Sequence, residues 1–174
     1  MVLVPFDKLP FGKAPVLEIT DETGTWLLSQ TVAIVRYLAD RYGLMGKNSK
    51  ENAQCDEIAL VVQELLEIMV PVYYQDDEEL KKTTWKRFEE KEYPMIFGEL
   101  EKRLVANGGE FMVGKQLTCA DFIINWITNL MKDYVTSTAS FIDEQYPNLK
   151  KLSDRIDSIP AIANHIKTRP FSDR

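Results

Sequence analysis

The sequence predicts a mainly α chain, in which a short βα fragment precedes an all-helical domain. Three observations carry this. The first 25 or so residues concentrate Pro, Gly and β-branched side chains, with Pro5, Pro10 and Pro15 recurring. From Asn48 onward the helical period replaces any strand-like alternation. Within that stretch, Leu117-Thr118-Cys119-Ala120-Asp121-Phe122 carries the signature of a helix start.

Each element follows from its residues. Val16-Leu17-Glu18-Ile19-Thr20 reads as a short strand, and Asp21-Glu22-Thr23-Gly24 as a polar turn. Trp26-Leu27-Leu28 is then the returning strand of a hairpin. Thr31 to Tyr42 places Val32, Ile34, Val35, Leu38 and Ala39 at helical spacing, and Gly43 follows as a C-cap glycine. A first long helix spans about Lys50 to Tyr73, with Ile58, Val61, Val62, Leu65, Leu66 and Met69 on one side and Pro71 near its end. Gln75 to Lys82 runs acidic then basic and reads as a solvated turn and helix start. A second helix is expected from about Thr84 to Ala106, closed by Asn107-Gly108-Gly109. Thr118 and Asp121 form a capping pair, with Leu117 and Phe122 at the staple positions. The helix beyond, Phe122 to Met131, is apolar nearly all round, which predicts a central helix with Phe122 and Trp126 in the core. Asn148 to Ser158 and Ala161 to Thr168 are amphipathic segments divided by Pro160.

Composition narrows the function. With 21 Lys+Arg against 27 Asp+Glu the net charge is −6, which argues against a nucleic-acid partner, because phosphate neutralisation needs a basic face. No apolar run approaches a membrane span, and Met1 to Asp7 lacks the features of a signal peptide, so no membrane partner and a cytoplasmic location are expected. Cys55 and Cys119 are too few for a disulfide framework and read as packing thiols. The single histidine, His165, leaves a His-based triad or a multi-His zinc site without its ligands, and no metal is expected.

Four stretches resemble the glutathione S-transferase family, in order along nearly the whole chain. Leu9-Pro10-Phe11-Gly12-Lys13-Ala14-Pro15-Val16-Leu17-Glu18 resembles the segment entering the family's third strand. Gln30-Thr31-Val32-Ala33-Ile34-Val35-Arg36-Tyr37-Leu38 resembles the start of its next helix. Leu117 to Phe122 resembles the capping box of its helical domain, and Ile159-Pro160-Ala161 with Lys167-Thr168-Arg169-Pro170 its C-terminal signature. The closest likeness is to the Sigma class, with its arthropod and helminth enzymes and haematopoietic prostaglandin D synthases. The resemblance implies a truncated thioredoxin-like α/β domain over residues 1–43, which binds glutathione, and an all-helical C-terminal domain over 48–174. It also implies a homodimer. The family's preceding strand, helix and strand, with the tyrosine that stabilises the glutathione thiolate, have no counterpart in the 174 residues. The sheet edge at Val16, Leu17 and Ile19 is then expected to be open, with Met1-Val2-Leu3-Val4 as a replacement strand.

The same resemblance implies the site. Ala14-Pro15 matches the family's cis-proline dipeptide, whose first residue pairs through its backbone with the cysteinyl part of glutathione. Lys13 borders the tripeptide. Gln30 and Thr31 precede a helix, where a hydroxyl, an amide and free N–H groups can receive the γ-glutamyl carboxylate; on physical grounds alone Thr31 is the helix cap. Glu64 falls where Sigma enzymes carry an Asp that reaches across the dimer to the γ-glutamyl amine. No catalytic residue is assigned. Tyr73 and Tyr74 lie near the family's electrophile pocket, and their ordinary reading is packing beside Pro71. The implied function is conjugation of glutathione, as substrate, to small hydrophobic electrophiles. The alternative is a non-catalytic, crystallin-like binding or structural protein on the same scaffold.

Overall fold

A computed structural model describes residues 9–134 and 144–169. Met1 to Val4, expected as a replacement strand, and Pro170 of the C-terminal signature lie outside the described residues. The chain forms two compact units, residues 1–45 and 46–174.

The first unit opens with a single 3₁₀ turn, Pro10–Gly12. Strands β1 (Val16–Asp21) and β2 (Gly24–Ser29) follow, paired antiparallel from Val16↔Ser29 to Asp21↔Gly24. The turn residues explain the hairpin. The Asp21 carboxylate accepts from the Thr23 hydroxyl at 2.6 Å, the Trp26 indole at 3.0 Å and the Thr23 N–H at 2.8 Å, and these bonds, the Thr23 hydroxyl first, hold its pKa below the ordinary value. Gly24 takes φ +121°, a conformation that side chains resist. Helix α1 (Thr31–Arg41) ends in a Schellman motif, with Leu44 N–H bonded to Ala39 O at 2.7 Å and Gly43 at φ +68°. Among the described residues this sheet has two strands, and only Ile19 and Ala39 in this unit are fully buried.

The second unit is helical. Helix α2 (Ser49–Tyr73) is capped by Asn48, whose side chain accepts from the Glu51 N–H, while the Glu51 carboxylate accepts from the Lys47 N–H at 2.7 Å. A Cβ on Gly46 would lie 2.3 Å from that of Glu51, so the entry to α2 requires glycine. Pro71 lies inside α2, which continues to Tyr73 rather than stopping at the proline.

The single helix expected over 84–106 is instead three segments. Helix α3 (Glu78–Arg87) starts earlier, because the Asp77 carboxylate caps it through the N–H groups of Glu79 and Leu80. A five-residue π turn, Phe88–Glu92, joins it to helix α4 (Tyr93–Ala106). Pro94 is the physical reason. It has no N–H for the Glu90 carbonyl, and its ring crowds that carbonyl, so the backbone widens there and the Tyr93 N–H bonds Phe88 O instead.

Helix α5 (Cys119–Tyr134) is the central one. Ala120, Ile123, Ile124, Ile127, Thr128 and Met131 are buried at helical spacing and face α2 and helix α6 (Pro147–Asp157). Each large apolar side chain buried there contributes roughly 1.5–3 kcal/mol. Trp126, however, is 45% exposed and so not in the core. The start of α5 shows the capping pair: Asp121, fully buried, accepts from the Thr118 N–H at 2.8 Å and the Thr118 hydroxyl at 3.1 Å. Its other oxygen accepts from the Met112 N–H at 2.8 Å, which pins the preceding loop. Helix α6 has no cap of its own; Glu101 of α4 supplies it, accepting from the N–H groups of Asn148 (3.0 Å) and Leu149 (2.9 Å). Helix α7 (Pro160–Thr168) closes the described chain, with His165 exposed on it.

Candidate functional site

The hairpin register sets the geometry of the first unit. Because Val16 pairs with Ser29, the ladder ends there, and Lys13-Ala14-Pro15 and Gln30-Thr31 leave it at the same end. The five residues are exposed together at that end. The Ala14–Pro15 peptide is cis, as the sequence reading expected. Glu64 belongs to the other unit, on the exposed side of α2.

Gln30, not Thr31, is the cap residue of α1, which corrects the expectation for Thr31 as cap. Thr31 is the first helical residue, and among the described residues no side chain caps the N–H groups of the first turn. Gln30 holds φ +73° and ψ 117°, a conformation in which a non-glycine residue is strained. Two strained positive-φ residues, Phe11 and Gln30, thus flank this end. The first turn of α1 carries no acidic side chain. Its dipole and free N–H groups therefore suit an external carboxylate, with the Thr31 hydroxyl and Gln30 amide as side-chain donors beside them. The segment before β1 offers backbone polar groups and one cation, Lys13. The arrangement fits a peptide-like ligand with an anionic group.

The second unit contains an apolar cavity of about 260 Å³. It lies between the end of α2 (Leu66, Met69, Val70), Trp85 of α3, and Trp126 and Leu130 of α5, with Tyr73 and Tyr74 at its edge. The two tyrosines meet edge to face at 5.1 Å and are 41% and 75% exposed, so they are not packed away beside Pro71. A more open depression shares Tyr73 and Trp85 with this cavity and is rimmed by Lys81 and Lys82. Lys81 Nζ sits 5.8 Å from the Tyr73 ring centre, a cation–π distance. The exposure of Trp126 now has a role: it walls a space suited to an apolar small molecule. Among the described residues no cluster of potential metal ligands occurs.

Comparison with known proteins decides the family. Residues 63–169 match the family model described as glutathione S-transferase, C-terminal domain. Glutathione S-transferase 1 of Ascaris suum is 32% identical over 170 residues, covering 94% of this chain and 77% of its own length. The chain belongs to the glutathione S-transferase family. Haematopoietic prostaglandin D synthase of Gallus gallus is another relative, 30% identical over 93% of this chain and 75% of its own. Among solved structures, prostaglandin synthase D of Nilaparvata lugens superposes with a TM-score of 0.83 at 26% identity, over 96% of this chain and 79% of that one. The fold is the transferase fold, the chain spans 75–79% of the length of these three proteins, and the Sigma-class resemblance read from the motifs stands.

Two features of the site escaped sequence reading. The strain at Gln30 has no local signal, since glutamine does not favour that conformation. The cavity wall escaped because an apolar residue on a central helix reads as core: Trp126 is expected there and is instead 45% exposed.

Proposed function

We propose that this transferase-family chain binds glutathione at the open end of the hairpin and transfers it to small hydrophobic electrophiles. The γ-glutamyl carboxylate is received by the free N–H groups of α1, with the Thr31 hydroxyl and Gln30 amide. The cysteinyl part pairs with the backbone at Ala14-Pro15, and Lys13 lies along the glycyl end. The electrophile occupies the apolar cavity walled by Tyr73, Trp85 and Trp126. The reaction forms a sulfur–carbon bond as the electrophile's leaving group departs, and the thiol's proton passes to solvent. A thiol of ordinary pKa, about 8.5, is only a few per cent ionised at neutral pH. The rate of the chain alone therefore reports how far it activates that sulfur.

The observation that supports this reading is the strained, uncapped start of α1 at the same end of the hairpin as Lys13-Ala14-Pro15, in a chain of this family. The family reading also favours a homodimer, with Glu64 reaching the partner's γ-glutamyl amine, and a cytoplasmic location. No described helix is long and apolar enough to cross a membrane.

Calorimetry with glutathione tests the site. Wild type is expected to bind, and Thr31→Ala to weaken binding by about 10-fold, the equivalent of one hydrogen bond to a charged group, roughly 1.5 kcal/mol. No binding to a folded wild-type chain refutes the site. Conjugation to a generic aromatic halide tests the chemistry: a rate above the enzyme-free one is expected. Binding with a background rate assigns the crystallin-like alternative instead.

A further inference from the structure

The proposed site uses neither cysteine, yet the fold brings the two together. Cys55, in the second turn of α2, and Cys119, the first residue of α5, share a side-chain hydrogen bond, although 63 residues separate them in sequence. Cys55 has no exposed surface and Cys119 keeps 7% of its own. Helices α2 and α5 pack directly against each other, so the contact is part of the central interface of this unit.

The surroundings differ for the two sulfurs. The Cys55 sulfur lies within hydrogen-bond reach of the Cys119 thiol, the Thr118 hydroxyl and the Ala120 N–H. The single hydroxyl proton of Thr118 serves either this sulfur or Asp121, which it reaches at 3.1 Å. The Ala120 N–H is one of the free donors at the start of α5, and the helix dipole points its positive end at the same sulfur. These donors, Cys119 first, outweigh burial and the nearby Asp121 charge and bring the Cys55 pKa down to about 7. Cys119 is pushed the other way, because it donates its proton to Cys55, is itself buried, and faces Asp56. Cys55 is thus the acceptor of the pair and Cys119 its donor, which makes Cys55 the sulfur placed to lose its proton first.

We propose that Cys55 and Cys119 form a peroxide-oxidisable dithiol that closes an intramolecular disulfide between α2 and the start of α5. The Cys55 thiolate attacks one oxygen of hydrogen peroxide. A sulfur–oxygen bond forms, the oxygen–oxygen bond breaks, and the departing hydroxide takes the Cys119 proton and leaves as water. The Cys119 sulfur then attacks the Cys55 sulfur, whose hydroxyl departs and takes up a solvent proton as a second water. Two thiol sulfurs lose two electrons in all, and one peroxide is reduced to two waters. The sulfurs must close from hydrogen-bond contact to about 2.05 Å. The closure falls on the two cysteine side chains, because Asp121 pins the loop before Cys119 through Met112 and Thr118. With Cys55 fully buried and Cys119 only 7% exposed, the pair is expected to meet a molecule the size of peroxide and not a bulky disulfide such as oxidised glutathione.

The test treats the full chain, under native conditions, with hydrogen peroxide or with oxidised glutathione. It is then unfolded in an alkylating agent and weighed. Peroxide is expected to give a monomeric product 2 Da lighter with neither cysteine alkylated, restored by dithiothreitol; oxidised glutathione is expected to leave both thiols free. A Cys119→Ala variant is expected to stop at a sulfenic acid on Cys55, trapped by dimedone. The proposal is overturned if peroxide leaves wild type with two alkylatable thiols, adds oxygen without a cross-link, or links separate chains. These wild-type outcomes do not depend on a variant folding, and none depends on glutathione transfer.

Discussion

Replacing Asp121 with asparagine separates the two forces that meet at the start of α5. The carboxylate is fully buried and accepts three hydrogen bonds, from Met112 N–H on one oxygen and from Thr118 N–H and hydroxyl on the other. Asparagine has nearly the same shape but only one acceptor oxygen. Whichever way its amide turns, one buried backbone N–H faces another donor, a loss of about 1–3 kcal/mol. Burial works in the opposite sense. It raises the Asp121 pKa despite the bonds from Met112 and Thr118, so the folded chain bears a desolvation cost for the charge that a neutral amide escapes. The net expectation is a loss of about 1–2 kcal/mol, and of about 3–4 kcal/mol for Asp121→Ala, which leaves both backbone donors without acceptors. The folded pKa lies above the unfolded value near 3.8. The stability that this titration contributes is therefore fully present below about pH 3.8 and is lost as pH rises through the folded pKa. The gap between wild type and Asp121→Asn should accordingly be wider in acid and narrow as the carboxyl ionises. Urea unfolding of the three proteins at several pH values measures this. If Asp121→Asn matched or exceeded wild type at neutral pH, desolvation would outweigh the three hydrogen bonds and the reasoning would be wrong.

Glu101→Ala removes the acceptor of both free N–H groups at the start of α6. It should cost about 2 kcal/mol in chemical denaturation, with Glu101→Gln in between; a change under about 0.5 kcal/mol for both would contradict the capping role. Native-state hydrogen exchange should be much faster over residues 9–45 than in α2 or α5, because that unit fully buries only Ile19 and Ala39 among its described residues and its sheet has two strands. Protection in β1 equal to that in α5 would show that something else stabilises the hairpin.

What could be read from the sequence follows how locally each feature is encoded. The hairpin was legible because Asp21 and Gly24 specify a turn between two apolar runs, and the start of α5 because Thr118 and Asp121 stand three residues apart. The break near Phe88 was also encoded locally, in Pro94 and in the five-residue step from Phe88 to Tyr93, after which Phe97 and Leu100 return to steps of four and three. A π turn keeps the apolar face in place by inserting one residue, so its signal is a single step of five, which is easily passed over within an otherwise helical pattern.

The candidate site divides along the same line. Positions 13–15 and 30–31 are brought together by strand pairing, so once the hairpin is recognised their proximity follows from the register alone. The strain at Gln30 does not follow, because it arises where a hairpin and a helix of fixed direction must be joined across one residue. The Cys55–Cys119 contact depends on how α2 crosses α5, and no pattern within either helix specifies that crossing. Reading such residues one at a time assigns each thiol to packing, which is correct for each alone. The chemistry belongs to the pair, and the pair exists only in the folded chain.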